Sequence, residues 1–156
     1  MSNLQQIRES ATPIALQVRW SDLDTNGHVN NARIVSLFEE ARIRAREQWR
    51  AGGSDPLNGQ LLVRAQTTSF DNEVLYGPDT SILVWVTRIG NSSYVVGQLL
   101  LQDEQPCVYM EVTMVVVDSQ TGKPTRHSTA FHQHLSTYAG PRYDPHGGGS
   151  SADEGR

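Results

Sequence analysis

The sequence predicts a single α+β domain, one amphipathic helix followed by a run of antiparallel strands, and three observations carry the prediction. Near the N-terminus Ile14, Leu16, Val18 and Trp20 alternate with Ala15, Gln17 and Arg19, the two-residue period of a strand with one face buried. From 31 to 51 the apolar positions Ile34, Phe38, Ala41, Ala45 and Trp49 recur at three and four, with Arg33, Ser36, Glu40, Arg44 and Glu47 opposite; this is the period of a helix. Four strand-like runs then follow, 61–70, 80–89, 93–103 and 108–118. No helical pattern interrupts them, so antiparallel meandering is the simplest connection.

Each boundary has a local cause. The polar stretch from Ser21 to Gly27 turns the chain after the first strand, with Gly27 free to take a positive φ. Asn30 or Asn31 caps the helix, no Glu or Gln completes a capping box, and Gly52-Gly53 is its stop. In the last run Val108, Met110, Val112, Met114 and Val116 share one face. The second run is apolar on both faces, Leu83, Trp85 and Ile89 against Ile82, Val84 and Val86. One helix covers only one face, so a second subunit is expected over part of the rest, in a homodimer or homotetramer. Residues 128–138 form a short helix with Phe131, Leu135 and Tyr138 on one side.

At 156 residues the chain holds one domain with a substantial core. We divide it into an N-terminal segment, 1–11, the domain, 12–139, and a tail, 140–156. The tail carries five Gly, two Pro and two Ser in 17 residues, a composition expected to stay disordered. With 13 Lys+Arg, 17 Asp+Glu and a net charge of −4, no basic footprint favours nucleic acid or an anionic membrane. A lone cysteine, Cys107, forms no internal disulfide or multi-cysteine zinc site. No apolar run approaches a membrane span and residues 1–10 have no hydrophobic signal core, so a cytoplasmic protein is expected.

The densest polar cluster runs from Asp22 to Asn31, between the first strand and the helix N-terminus. Free first-turn amides near Val29 to Asn31 offer donors and partial positive charge to an oxygen gaining negative charge. A carboxylate a few residues earlier can activate water or attack a carbonyl itself. Asp22, Asp24 and Asn26 are also residues that commonly bond turn amides, and on local chemistry alone that structural reading is the commoner one.

The string from Val18 through Asp22-Leu-Asp24-Thr-Asn-Gly27-His-Val-Asn-Asn31, continuing into Leu37-Phe-Glu-Glu-Ala-Arg42, resembles the hotdog-fold acyl-CoA thioesterases of the 4-hydroxybenzoyl-CoA thioesterase type. Phe70 ahead of Tyr76-Gly-Pro-Asp79, and Arg88-Ile-Gly-Asn-Ser-Ser93, extend the resemblance to about Asp118. It implies a hotdog fold, an antiparallel sheet of about five strands wrapped around one long helix. It also implies a dimer with the site at the subunit junction. The activity implied is hydrolysis of an acyl-CoA or acyl-carrier thioester, with no metal and no redox cofactor. The catalytic carboxylate maps onto Asp24, as general base or nucleophile, Asp22 becomes a turn residue, and the carbonyl-polarising amide maps onto the backbone of Asn31. One subgroup carries His where Asn31 stands. His28 is a candidate substitute as proton shuttle.

Gly27, Val29, Asn30, Arg88, Ser92 and Ser93 are candidate substrate contacts. Glu39, on the shoulder of the helical stripe, is a backup base, whereas Glu40 and Arg44 are spaced as an ordinary helix ion pair. Arg42 is explained by stem burial or a pair with Glu39. Arg64, Arg88, Lys123 and Arg126 are candidate partners for CoA phosphates. Trp20, Trp49, Trp85 and Tyr109 read as core residues first and pocket walls second. His127, His132 and His134 lack the spacing of a zinc motif. The competing class is a non-catalytic hotdog protein that binds acyl-CoA as a sensor or partner surface.

Overall fold

The structure, a computed structural model, describes residues 1–51 and 56–146. In chain order it contains α1 (Asn3–Ser10), β1 (Thr12–Leu16), a 3₁₀ turn (Trp20–Asp22), α2 (Asn31–Arg50), β2 (Gln60–Phe70), β3 (Thr80–Ile89), β4 (Ser93–Gln102), β5 (Gln105–Val117) and α3 (Thr129–Ser136). The strands form one antiparallel sheet in the order β1-β3-β4-β5-β2, and α2 lies against β1, β3 and β4. The α+β class and the strand, helix, four-strand order are as the sequence predicts.

Helix α2 begins where the Asn30 side chain accepts from Ala32 N at 2.9 Å. Its stripe of Ile34, Phe38, Ala41, Ala45 and Trp49 is buried. It packs on Ile82, Val84 and Val86 of β3 and on the Val108-to-Val116 face of β5 in one continuous inner core. The expected stop at Gly52-Gly53 lies outside the described residues. Helix α3 starts at the cap Ser128, whose Oγ accepts from Phe131 N at 3.1 Å. It buries Phe131 and Leu135, and Tyr138 just beyond it stacks on Trp49 at 4.2 Å.

Three expectations are corrected. The first strand stops at Leu16, and Trp20 is 77% exposed instead of continuing the buried alternation. The Asp22 carboxylate accepts from Arg19 N at 2.8 Å while Asp22 N and Leu23 N close on Arg19 O and Trp20 O, which curls the backbone out of the sheet. The meander holds for β3, β4 and β5 only. Strand β2 pairs with β5, Leu61 opposite Val116 and Phe70 opposite Val108, because β1 and β4 already fill both edges of β3.

The third correction concerns the outer face of β3, which α1 and residues 141–143 of the same chain cover around Trp85. Leu83, Trp85, Leu99, Leu101 and Tyr109 pack with Ile7 of α1 and with Tyr143. Trp85 Nε1 donates to Pro141 O at 2.9 Å, and Asn3 Nδ2 donates to Arg142 O at 3.0 Å. Residues 140–146, part of the tail expected to be disordered, therefore hold a defined place; 147–156 lie outside the described residues. Gly97 makes this packing possible, since a Cβ there would lie 2.9 Å from the Trp85 ring. No helix among the described residues is long and apolar enough to cross a membrane.

Candidate active site

The loop that joins the 3₁₀ turn to α2 folds on its own polar groups. Asp24 N donates to His28 O at 2.7 Å and Gly27 N to Asp24 O at 3.1 Å, with Gly27 at φ 78° in the left-handed region. The Asp24 Oδ1 accepts from Asn26 N at 2.8 Å and from His28 N at 3.2 Å. The turn chemistry expected of an Asx residue is thus present, and it occupies one carboxylate oxygen. Oδ2 has no hydrogen-bond partner among the described residues. Asp22, by contrast, is buried and spent on the turn: its side chain holds Arg19 N and its carbonyl accepts from Asn30 N at 2.9 Å.

Asn30 N is bonded to Asp22 and Ala32 N to the cap. The amides of Asn31 and Arg33 have no acceptor among the described residues, as the first turn of a helix dictates. Asp24 and Asn31 line one open cleft of about 670 Å³. Its apolar wall is Val29, Ile34, Phe70 and Val74, and its polar rim adds His28, Asp71, Asn72 and Glu73. The segment 71–74 arrives from the end of β2. Val29 N donates to Val74 O at 2.8 Å, and the Gln102 side chain brackets Leu75 with two bonds of 2.8 Å. These rim residues escape a sequence reading because Asp71-Asn-Glu73 looks like any inter-strand turn. Only the long-range pairing with residues 28–29 turns it toward Asp24.

Of the other predicted residues, His28 is at the cleft with its Nε2 3.0 Å from Glu73 Oε2. Val29 lines the cleft, whereas Gly27 and Asn30 shape the loop and the cap without lining it. Glu39 is exposed on α2 and does not reach the cleft. Arg42 donates to Gln98 Oε1 at 3.2 Å, and Gln98 Nε2 to Phe38 O at 2.7 Å. Burial holds the Arg42 guanidinium pKa below its ordinary value, against the opposing pull of Glu39. Glu40 and Arg44 form the expected pair at 3.4 Å.

Arg88, Ser92 and Ser93 are not brought to Asp24 within the chain. Ser93 pairs with Val115 while Phe70 pairs with Val108, about 24 Å apart along β5. Arg64 is the bulged residue of β2, and neither it nor Lys123 nor Arg126 lines the cleft. Trp49, Trp85 and Tyr109 are core residues, and Trp20 does not line the cleft. His127 Nε2 is 2.9 Å from Ser93 O, and His134 packs on Phe131 and Tyr138, so the three histidines of this region do not converge.

The family model of the thioesterase-like superfamily matches residues 18–135, and the chain belongs to that family. The uncharacterized protein YsmA of Bacillus subtilis (strain 168) is 29% identical over 111 residues, covering 69% of this chain and 74% of that one. A predicted thioesterase from Bacillus stearothermophilus has the same fold with a TM-score of 0.75 at 20% identity, over 85% of this chain and 99% of that one. A thioesterase from Thermus thermophilus, complexed with coenzyme A and Zn, gives 0.69 at 23% identity, over 81% of this chain and 92% of that one. The sheet curved around one long helix is the hotdog fold.

Proposed function

We propose that the chain hydrolyses the thioester of an acyl-CoA or acyl-carrier protein to a free acid and a thiol, as a cytoplasmic homodimer. The observation that carries the reading is the meeting of the Asp24 carboxyl and the open Asn31 amide in one cleft. The thioester carbonyl oxygen takes the Asn31 N–H. Asp24 either accepts a proton from the attacking water or attacks the carbonyl carbon to form an anhydride that water then opens. In both routes the C–S bond breaks, the thiolate leaves and is protonated, and the amide at the helix N-terminus stabilises the oxyanion between. General-base help and oxyanion stabilisation are each worth ~10²-fold or more.

A homodimer is supported by β2, an 11-residue strand at the sheet edge with Leu62, Val63 and Phe70 about half exposed. Such an edge invites another strand. In a two-fold antiparallel pairing the Gln60 end of one β2 lies against the Phe70 end of the other. In that arrangement Arg88 and Arg126 of the second copy are candidate partners for the CoA phosphates, and its Ser92 and Ser93 are candidate substrate contacts.

The test is thiol release from short, long and aromatic acyl-CoAs, with the wild type beside Asp24→Asn. Turnover that falls at least ~10²-fold in a folded variant supports the reading. Acyl-CoA binding with no turnover of acyl-CoA or of acyl-carrier thioesters in either protein replaces it with the non-catalytic acyl-CoA-binding alternative.

A further inference from the structure

The rim of the Asp24 cleft is acidic. Asp24, Asp71 and Glu73 line it, and no lysine or arginine does. His28 is the one lining group able to carry positive charge, and its Nε2 is already engaged by Glu73. Asp71 is exposed and forms no ion pair among the described residues; Arg142, which shares a neighbouring pocket with it, is engaged by Glu111. Beneath the rim the wall is apolar, with Val29, Ile34 and Val74 buried.

We propose, resting on the thioesterase reading, that the substrates are thioesters of uncharged acyl groups, and that Asp71 and Glu73 act as specificity residues by repelling acyl chains that end in a carboxylate. An anionic chain entering this cleft leaves water for an apolar wall that offers no counter-charge. It also comes within a few ångströms of carboxylates of its own sign, closer than the screening length, so the repulsion is felt and falls with salt. The phosphates of CoA escape this repulsion because they sit at the far end of the uncharged pantetheine arm. That distance exceeds the screening length of about 8–10 Å. Phe70, half exposed at the end of β2, gives the uncharged chain an apolar surface to rest on.

Three acyl-CoAs of matched length test this: hexanoyl-CoA, adipoyl-CoA and the methyl ester of adipoyl-CoA, which controls for size. We expect kcat/KM for adipoyl-CoA to lie at least ~10-fold below that of its methyl ester, mostly through KM. The gap should shrink at least ~3-fold in Asp71→Asn/Glu73→Gln and with rising salt. Circular dichroism and thermal melts establish that the variant is folded. The ratio between substrates, not the absolute rate, is the readout. Non-hydrolysable thioether analogues of the same three, titrated by calorimetry, give the ratio independently of turnover. A preserved binding ratio without hydrolysis therefore sinks the hydrolase reading and keeps the charge selection. Equal values for adipoyl-CoA and its ester, or a gap unchanged in the double variant, overturn the proposal. Absence of binding by all three analogues overturns both.

Discussion

Two turns of this molecule are built from the same kinds of bond. In the first, Asp24 Oδ1 accepts two backbone amides, Asp24 N donates to the carbonyl of His28 and Gly27 N donates back to Asp24 O. In the second, Asp118 Oδ1 accepts from Gln120 N and Thr121 N, Asp118 N donates to Lys123 O and Gly122 N donates back to Asp118 O. Both glycines sit at positive φ, 78° and 68°. Yet the Asp118 turn is followed by an exposed stretch after β5, whereas the Asp24 turn leads into the N-terminus of a 20-residue helix and meets the segment 71–74. Local chemistry makes each turn; its surroundings make one of them a candidate active site.

The largest expected effect separates the two aspartates directly. Asp24→Asn keeps an oxygen for the turn amides and removes the ionisable group. We expect thioester turnover to fall at least ~10²-fold with an unaltered fold, while Asp118→Asn leaves turnover unchanged. Comparable losses in the two variants would dissolve the distinction.

The glycines come next. Gly27→Ala and Gly122→Ala each force a side chain into the left-handed region, and each should cost about 1–2 kcal/mol in denaturant melts. Only Gly27→Ala should also depress kcat/KM, because its strain is transmitted to Asp24. A smaller pair of variants tests the caps. Asn30→Ala and Ser128→Ala each remove a side-chain acceptor from a first helical turn, and each should cost about 1 kcal/mol. Loss of activity is expected from Asn30→Ala alone, since only α2 presents its first turn to the cleft.

The smallest effect is the pH dependence of the second turn. Backbone amides of Thr121 and Gln120 hold the Asp118 carboxyl below its ordinary value. Its folded pKa therefore lies below the unfolded one. The stabilisation is complete above the ordinary aspartate range, about pH 4, and is lost as pH falls through the lower folded value. Asp118→Asn should flatten the acid limb of the melting temperature between about pH 2 and pH 6.

Much of this was legible in the chain. The helix is read from Ile34, Phe38, Ala41, Ala45 and Trp49 because a single period of 3.6 puts them on one side. The β5 face is read from five alternating residues, and the cap is narrowed to Asn30 or Asn31, of which the fold uses Asn30. The candidate site was half legible. Asp24 and the helix amides lie within eight residues of each other, from 24 to 31. Asp71, Asn72 and Glu73 carry no local mark that distinguishes them from a connecting turn. Gln98 was also invisible: a polar residue in the middle of a strand is placed in the core only because Phe38 O and the Arg42 guanidinium are there to bond it.

By itself the sequence determined the elements whose causes are local: the amphipathic helix and the place of its cap, the alternating strands, and the polar turn from Ser21 to Gly27. Tertiary structure alone decided that β2 crosses to the far edge, that α1 and residues 141–143 cover Trp85, and that residues 71–74 complete the cleft beside Asp24. The physical reason is that propensity and periodicity act over a few residues. Which sheet edge is left unfilled, and which apolar face is left uncovered, depends on contacts between residues far apart in the chain.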